Sequence, residues 1–471
     1  MRPCFLAFAL AATTTVAACS SGDPASQKEP PAARTATAGG TLEEEASPPA
    51  AAVRVVDGDT NSVVRRAVVR VASQVGRSNA RGVALVHVRR TAQFPARISA
   101  PRYIARRVIL RLRPDRTSSV RLWRRDLQWP LYGATPARTQ AHPAISLRPP
   151  FRVVWRRSLR SLLEYPAVVW EGVAYATNFR GYLTAVSMRT GRILWRRHIA
   201  TTFASSPAVD PDRRTLVLTS KTPGQVTIVD MDTGKVRWRY ETGPAEPSAV
   251  VANGIAYFGD ATGRVYALDL KLRKARWIFS GGVKITSSPA LLRGRLYFGD
   301  YAGRVFALNA RSGRRIWTGS AGSRVYAAVA VGANRVFASS VFSGLSALSA
   351  RTGRLLWRVP VGAYLYSAPA FYRGRVYFGT YGGVVSCADA ASGRILWSRS
   401  IPGRVSGAVV VVAGVVYAGV LEGQIRGWHW RTGRTVWTFP RGEYVPVSGN
   451  GARLLMHGRA GLFAVEPRRR R

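Results

Sequence analysis

The sequence predicts an all-β protein: an eight-bladed β-propeller closed by an N-terminal strand, preceded by a small β-sandwich. Three observations predict it. Tryptophan recurs at positions 155, 195, 238, 277, 317, 357, 397 and 437, at intervals of 40, 43, 39, 40, 40, 40 and 40 residues. Between successive tryptophans lie four short β-rich runs joined by Gly-bearing turns, which leaves no room for a helix. Residues 151–471 number 321, enough for eight such units. A fixed period of this size marks an array or a propeller, and four strands per 40 residues is the content of one propeller blade.

The first element is an export signal. Arg2 precedes an apolar stretch, Phe5 to Ala18, too short to cross a bilayer at about 20 residues. It has the length of a signal-peptide hydrophobic region. The following Val16-Ala17-Ala18-Cys19, then Ser20-Ser21-Gly22, resembles a bacterial lipobox, with Val16 where leucine is preferred. The resemblance implies a signal peptide over 1–18 and lipidation of Cys19. It places the mature chain at the outer side of the cytoplasmic membrane or in the cell envelope, held to the membrane by its lipid anchor. With Cys4 removed and Cys19 acylated, Cys387 is the only thiol left, so no intramolecular disulfide can form. Cys387 fills a slot that is alanine in sister repeats, which predicts a small buried apolar residue. Residues 19–52, rich in Ala, Pro, Ser and Glu, predict a flexible tether.

Residues 53–113 alternate in short β-rich runs broken by turn signals and predict the small β-sandwich. Val56-Asp57 through Val68-Val69, the Ser78–Ala84 stretch and Ser99–Tyr103 resemble carboxypeptidase-regulatory-like or collagen-adhesin B-type modules. Arg102 replaces the glycine usual before the tyrosine. That resemblance implies a spacer or adhesion module without catalysis. Residues 114–150 read as a connector.

The propeller unit is clearest at Ser287–Leu292, Leu296–Gly299, Arg304–Asn309 and Arg314–Trp317, with turns at Arg293-Gly294 and Ser312-Gly313. The last unit, Tyr444 to Val465, has only three β-runs, and Phe151–Trp155 supplies the missing fourth. Pairing the two ends leaves no open sheet edge. The recurring Ala-x-Asp-x-x-Thr/Ser-Gly-x-x-x-Trp resembles the tryptophan-docking motif of pyrroloquinoline-quinone-type repeats. It stands at Ala185–Trp195, Ala307–Trp317, Ala347–Trp357 and Cys387–Trp397, while the third unit departs with Leu272-Arg273 in place of Thr-Gly. The resemblance implies that Trp155, Trp195, Trp238, Trp277, Trp317, Trp357, Trp397 and Trp437 pack between adjacent blades. An indole is the largest apolar plane available to fill the wedge between diverging sheets. The lead-in Trp129-Pro130-Leu131-Tyr132-Gly133, with Arg138-Thr139, looks like the preamble of such propellers.

Function is constrained chiefly by charge. Lys+Arg is 70 against 24 for Asp+Glu, a net charge of +46 carried by 64 arginines and six lysines. Such a balance favours anionic surfaces in general. Nucleic acid is disfavoured as a partner, because an exported protein seldom meets it. The third-hairpin turns place Arg192, Lys235, Lys274, Arg314, Arg354, Arg394 and Arg434 at equivalent positions, a candidate basic face. First-hairpin turns add Arg293, Arg295, Arg335, Arg373 and Arg375 on the same side. The opposite rim mixes signs through Asp260, Arg264, Asp300, Arg304 and Glu422.

Quinoprotein dehydrogenases share the repeat but carry long insertions, a vicinal cysteine pair and an aspartate base beside calcium. Here the blades are bare and one cysteine serves the whole propeller. His198, His429 and His457 sit in different units without a motif and are expected to be solvated. The expectation is no catalytic, metal or cofactor residue and no enzyme. The expected function is a monomeric, non-catalytic envelope scaffold docking a protein or an anionic glycan or lipid surface. The alternatives are the outer-membrane β-barrel assembly propeller lipoprotein and a pyrroloquinoline-quinone-dependent dehydrogenase-like protein.

Overall fold

Val-, Ile- and aromatic-rich runs separated by glycine turns become strands throughout, in a computed structural model that describes residues 50–468 except 89 and 115. The expected signal peptide, Cys19 and nearly all of the tether lie outside the described residues. The N-terminal module is two packed sheets. One orders Val83–His87, Ala50–Asp57 and Thr117–Leu122; the other orders Gln74–Arg77, Val68–Val71, Ala92–Ser99 and Arg106–Leu112. Their inner faces bury Val53, Val55, Val69, Ile98 and Leu112 completely. The module therefore runs from Ala50 to Leu122, wider than the 53–113 expected. Its last strand pairs in parallel with its first. A pairing of that kind carries no hairpin-turn signature in the sequence.

Eight sheets follow, each built on four antiparallel strands, the first seven taking these in strict sequence order over 168–198, 208–241, 250–280, 290–320, 330–359, 370–400 and 410–439. The eighth orders Val447–Gly449, Leu454–Gly458, Gly461–Pro467 and, outermost, Phe151–Ser158. Phe151 lies opposite Pro467 and Ser158 opposite Gly461, so the N-terminal strand fastens the last sheet. The innermost strands of the first and eighth sheets neighbour each other, closing the ring.

Burial follows position within a blade. The second and third strands are covered on both faces by neighbouring sheets, as at Leu296–Gly299 and Val305–Leu308, whereas the outermost Arg315–Ser320 is largely exposed. This is why the middle strands read as unbroken apolar runs.

The tryptophans dock as a chain around the ring. Indole Nε1–H donates to a backbone carbonyl of the next blade from Trp155 (Met188, 2.9 Å), Trp195 (Met231, 3.2 Å), Trp277 (Ala310, 3.0 Å), Trp317 (Ala350, 3.1 Å), Trp357 (Ala390, 3.2 Å) and Trp397 (Trp430, 3.2 Å). The turn glycine of the next blade lies flat on each indole. A Cβ at Gly353, whose φ is +77°, would stand 2.5 Å from Trp317 Cε3. Two members differ, each for a local reason. Trp238 faces the blade whose turn is Leu272-Arg273, with Arg273 forced to φ 57°, and makes no such bond. Trp437 faces the closing blade and instead meets Phe151 edge-on at 5.2 Å and stacks on Phe439. Cys387 is fully buried as a free thiol, and burial pushes its pKa up to about 11.

Candidate functional site: the filled axis and the two rims

In each blade the first and third hairpins turn on one side of the ring, and the second hairpins and blade-to-blade connections turn on the other. The sandwich sits on the first-hairpin side, over blades eight and one. Asp59 there accepts from Asn450 Nδ2 at 2.8 Å and from the Gly451 amide at 3.2 Å. Burial and the neighbouring Asp57 raise the Asp59 pKa to about 7. Trp123 packs against Gly172, and Arg106 faces Glu171 at 3.9 Å.

From this side the lead-in enters the ring. An innermost strand presents an unpaired backbone edge to the axis, and residues 129–142 satisfy it nearly all the way round. Trp129 exchanges both backbone bonds with Val169 (2.9 and 2.8 Å). The carbonyls of Pro130, Pro136, Ala137, Thr139 and Gln140 then accept from Val209, Leu291, Val331, Phe371 and Val411 at 2.7–2.9 Å. Ala141–His142 adds a fifth, parallel strand to the seventh sheet. The third blade is reached by a side chain. Arg138, 0 % exposed, donates to Ser248 O (2.6 Å), Pro289 O (3.0 Å) and Tyr132 O (2.5 Å). Burial lowers its pKa to about 10, so it remains a cation at neutral pH. The segment expected only as a connector thus fills the channel. Nothing in its composition foretold this; the signal was its resemblance to a propeller preamble.

Arg192, Lys235, Lys274, Arg314, Arg354, Arg394 and Arg434 all fall at the same third-hairpin position, and all are exposed. None of these seven side chains makes an ion pair or hydrogen bond among the described residues. The first-hairpin arginines behave differently. Arg295, Arg335 and Arg375 donate to the carbonyls of Ala350, Ala391 and Arg431 and so tie one blade to another.

The opposite rim keeps part of the expected mixture of surface charges, with Arg264 and Glu422 exposed and Glu422 paired to Arg404 at 2.7 Å, but its two aspartates depart from it. Asp260 and Asp300 are 0 % exposed and cap their own turns, Asp300 accepting from the Ala302 and Arg304 amides. They contribute no surface carboxylate. This rim also presents aromatic side chains: Phe342 and Tyr364 are 60 % and 49 % exposed and meet edge-on at 5.4 Å, with Arg324 over Phe342 at 5.6 Å. His457, expected to be solvated, is buried. Its Nε2 accepts from the Ala167 amide at 3.0 Å, across the join of the last and first blades, and burial lowers its pKa to about 4.

A ring of four-stranded sheets, indole-docked and closed by its own N-terminal strand, defines a β-propeller of tryptophan-docking repeats. The match to the family model is more specific: the chain belongs to the family described as outer membrane protein assembly factor BamB, matched over residues 151–280, 263–363 and 341–466. No curated protein sequence matches it. Among solved structures it is similar in fold to BamB from Moraxella catarrhalis (16% identity, TM-score 0.58, covering 68% of this chain and 99% of that one). It is similar also to a europium-containing methanol dehydrogenase (12%, 0.62, 72% and 98%). The quinohemoprotein alcohol dehydrogenase from Comamonas testosteroni matches at 12% and 0.62, over 73% and 81%. No helix among the described residues is long and apolar enough to cross a membrane.

Proposed function

We propose that the chain is a non-catalytic docking propeller of the cell envelope that binds an anionic partner through its third-hairpin rim. The observation that carries this reading is the row of seven exposed basic side chains, one in each of the first seven blades, that make no ion pair among the described residues. Charges left unneutralised in a row attract polyanions and steer them to the surface. A quinone cofactor does not fit the axis. The chain's own residues 129–142 fill it, and among the described residues Cys387 is buried and the one cysteine, and no His/Cys/Asp/Glu group could hold a metal ion.

The test is charge reversal of Arg314, Arg354 and Arg394 to Glu, with binding to phosphatidylglycerol vesicles and to a soluble polyanion measured against salt. At least tenfold weaker binding and a shallower salt dependence are expected. Unchanged, salt-insensitive binding would reject the basic rim.

The family match favours a second reading, a lipid-anchored factor in outer-membrane β-barrel assembly. In that case the purified protein binds the periplasmic region of a β-barrel assembly protein directly, and absence of such binding rejects it.

A further inference from the structure

The connections into each blade build a ring of equivalent positions at the axial mouth opposite the sandwich, four residues before each innermost strand. Around the first seven blades that position holds Glu164, Ala204, Glu246, Thr286, Tyr326, Tyr366 and Ser406. Two carboxylates and two tyrosines thus share this mouth, with Glu443 at the same offset in the eighth blade, in a chain with only 24 acidic residues. Below them lies a cavity of about 50 Å³, lined also by Tyr132, Tyr165 and Tyr444. The rings meet edge-on, Tyr132 with Tyr165 at 5.5 Å and Tyr326 with Tyr366 at 5.7 Å.

The two carboxylates differ. Glu246 is neutralised by Lys221 at 3.4 Å and Lys284 at 3.3 Å. Glu164 makes no ion pair and no hydrogen bond among the described residues, and burial together with Glu246 raises its pKa against the weaker pull of Lys221, which is paired to Glu246. A half-buried carboxylate without a partner is costly, and a cation entering beside it removes the cost. Tyrosine rings add attraction for the same charge. Arg138 beneath is already bound by three carbonyls and offers Glu164 no contact.

We infer that this mouth is a binding site for a primary ammonium group, held by the Glu164 carboxylate inside a cage of tyrosine rings. The space suits such a group and its first carbon, since about 10–15 Å³ of such space already admits one water. The inference is independent of the basic rim, which lies on the other side of the ring. The source of the ammonium is either a small free amine or a lysine side chain of a partner.

Calorimetric titration of the full chain tests it, with methylammonium chloride, Nα-acetyl-lysine amide and Nα-acetyl-norleucine amide as probes. Binding of at least one ammonium probe and none of the norleucine analogue is expected. Equal affinity for the two ammonium probes identifies a free amine; at least tenfold tighter binding of the lysine amide identifies a side chain. Glu164→Gln and Tyr326→Leu each weaken binding at least tenfold, while Lys271→Gln, exposed on the far side of the ring and part of neither site, leaves it unchanged. Unfolding midpoints verify that each variant is folded, and Tyr326→Phe, which keeps the ring, retains binding. Failure of both ammonium probes to bind, equal binding of lysine and norleucine amides, or an unaffected Glu164→Gln variant overturns the inference.

Discussion

Replacing Trp317 and Trp238 separately by phenylalanine isolates what the docking bond contributes. Trp317 is 8 % exposed, donates to Ala350 O at 3.1 Å and lies under Gly353. Trp238 is half-buried and lacks the bond, because its neighbour offers Leu272-Arg273 instead of Thr-Gly. Both substitutions lose similar ring area, but only Trp317→Phe also loses a hydrogen bond, worth about 1 kcal/mol net. Truncation to alanine removes the ring as well and should cost about 3–5 kcal/mol at Trp317 and less at Trp238. The assay is urea unfolding, comparing midpoints at a common slope. Equal costs for the two phenylalanine variants would refute the reasoning. A companion pair tests the turn. Gly353→Ala puts a Cβ 2.5 Å from the indole at φ +77° and should be destabilising, by about 1–2 kcal/mol for the left-handed backbone alone. Arg273→Gly relieves the same backbone strain and should stabilise by up to about 1 kcal/mol; a loss would refute it.

Two further outcomes follow from buried groups. Arg138→Met leaves the carbonyls of Ser248, Pro289 and Tyr132 without their charged donor. After the relieved desolvation of the guanidinium is subtracted, a loss of about 2–5 kcal/mol is expected. Chymotrypsin should then cut at Tyr132, and protection equal to the wild type would show that the lead-in does not depend on Arg138. His457 gives a pH signature: its folded pKa of about 4 lies below the unfolded 6.5. Protonation therefore favours the unfolded chain, and stability is full above pH 6.5 and falls as pH drops towards 4, by about 3 kcal/mol for this group. His457→Gln should flatten that window in urea melts, and an unchanged pH profile would show that another group governs it.

The propeller was legible because its information is local and repeated. An indole every forty residues, a turn glycine before it and a surplus β-run at Phe151 specify blade, dock and closure without any distant contact being known. Even the exception at Leu272-Arg273 marked where a docking bond is missing. What stayed hidden depends on single-copy segments that act at long range. Thr117–Leu122 pairs with a strand some sixty residues earlier, and Pro130 to Gln140 meet inner strands from Val209 to Val411. Neither partner set has a periodic signature. The glutamates of the axial mouth were within reach, since Glu164 and Glu246 share one offset from their inner strands. At the opposite rim Asp260 and Asp300 were misplaced on the surface, because they fold back onto their own turns, whereas Arg264 and Glu422 are exposed there.

The belt of carbonyls from Trp129 to Gln140 also acts as a measuring tape. Its length is fixed by covalent geometry, and each tooth is spent on a particular inner strand, with Arg138 bridging to the third blade and the eighth left outside the belt. Repeat arrays readily gain or lose a unit when their genes recombine. Here a duplicated unit would arrive with no tooth waiting for it, and a deleted one would leave a tooth idle at the axis. The thread through the hub therefore locks the number of spokes, independently of how well any two neighbours fit.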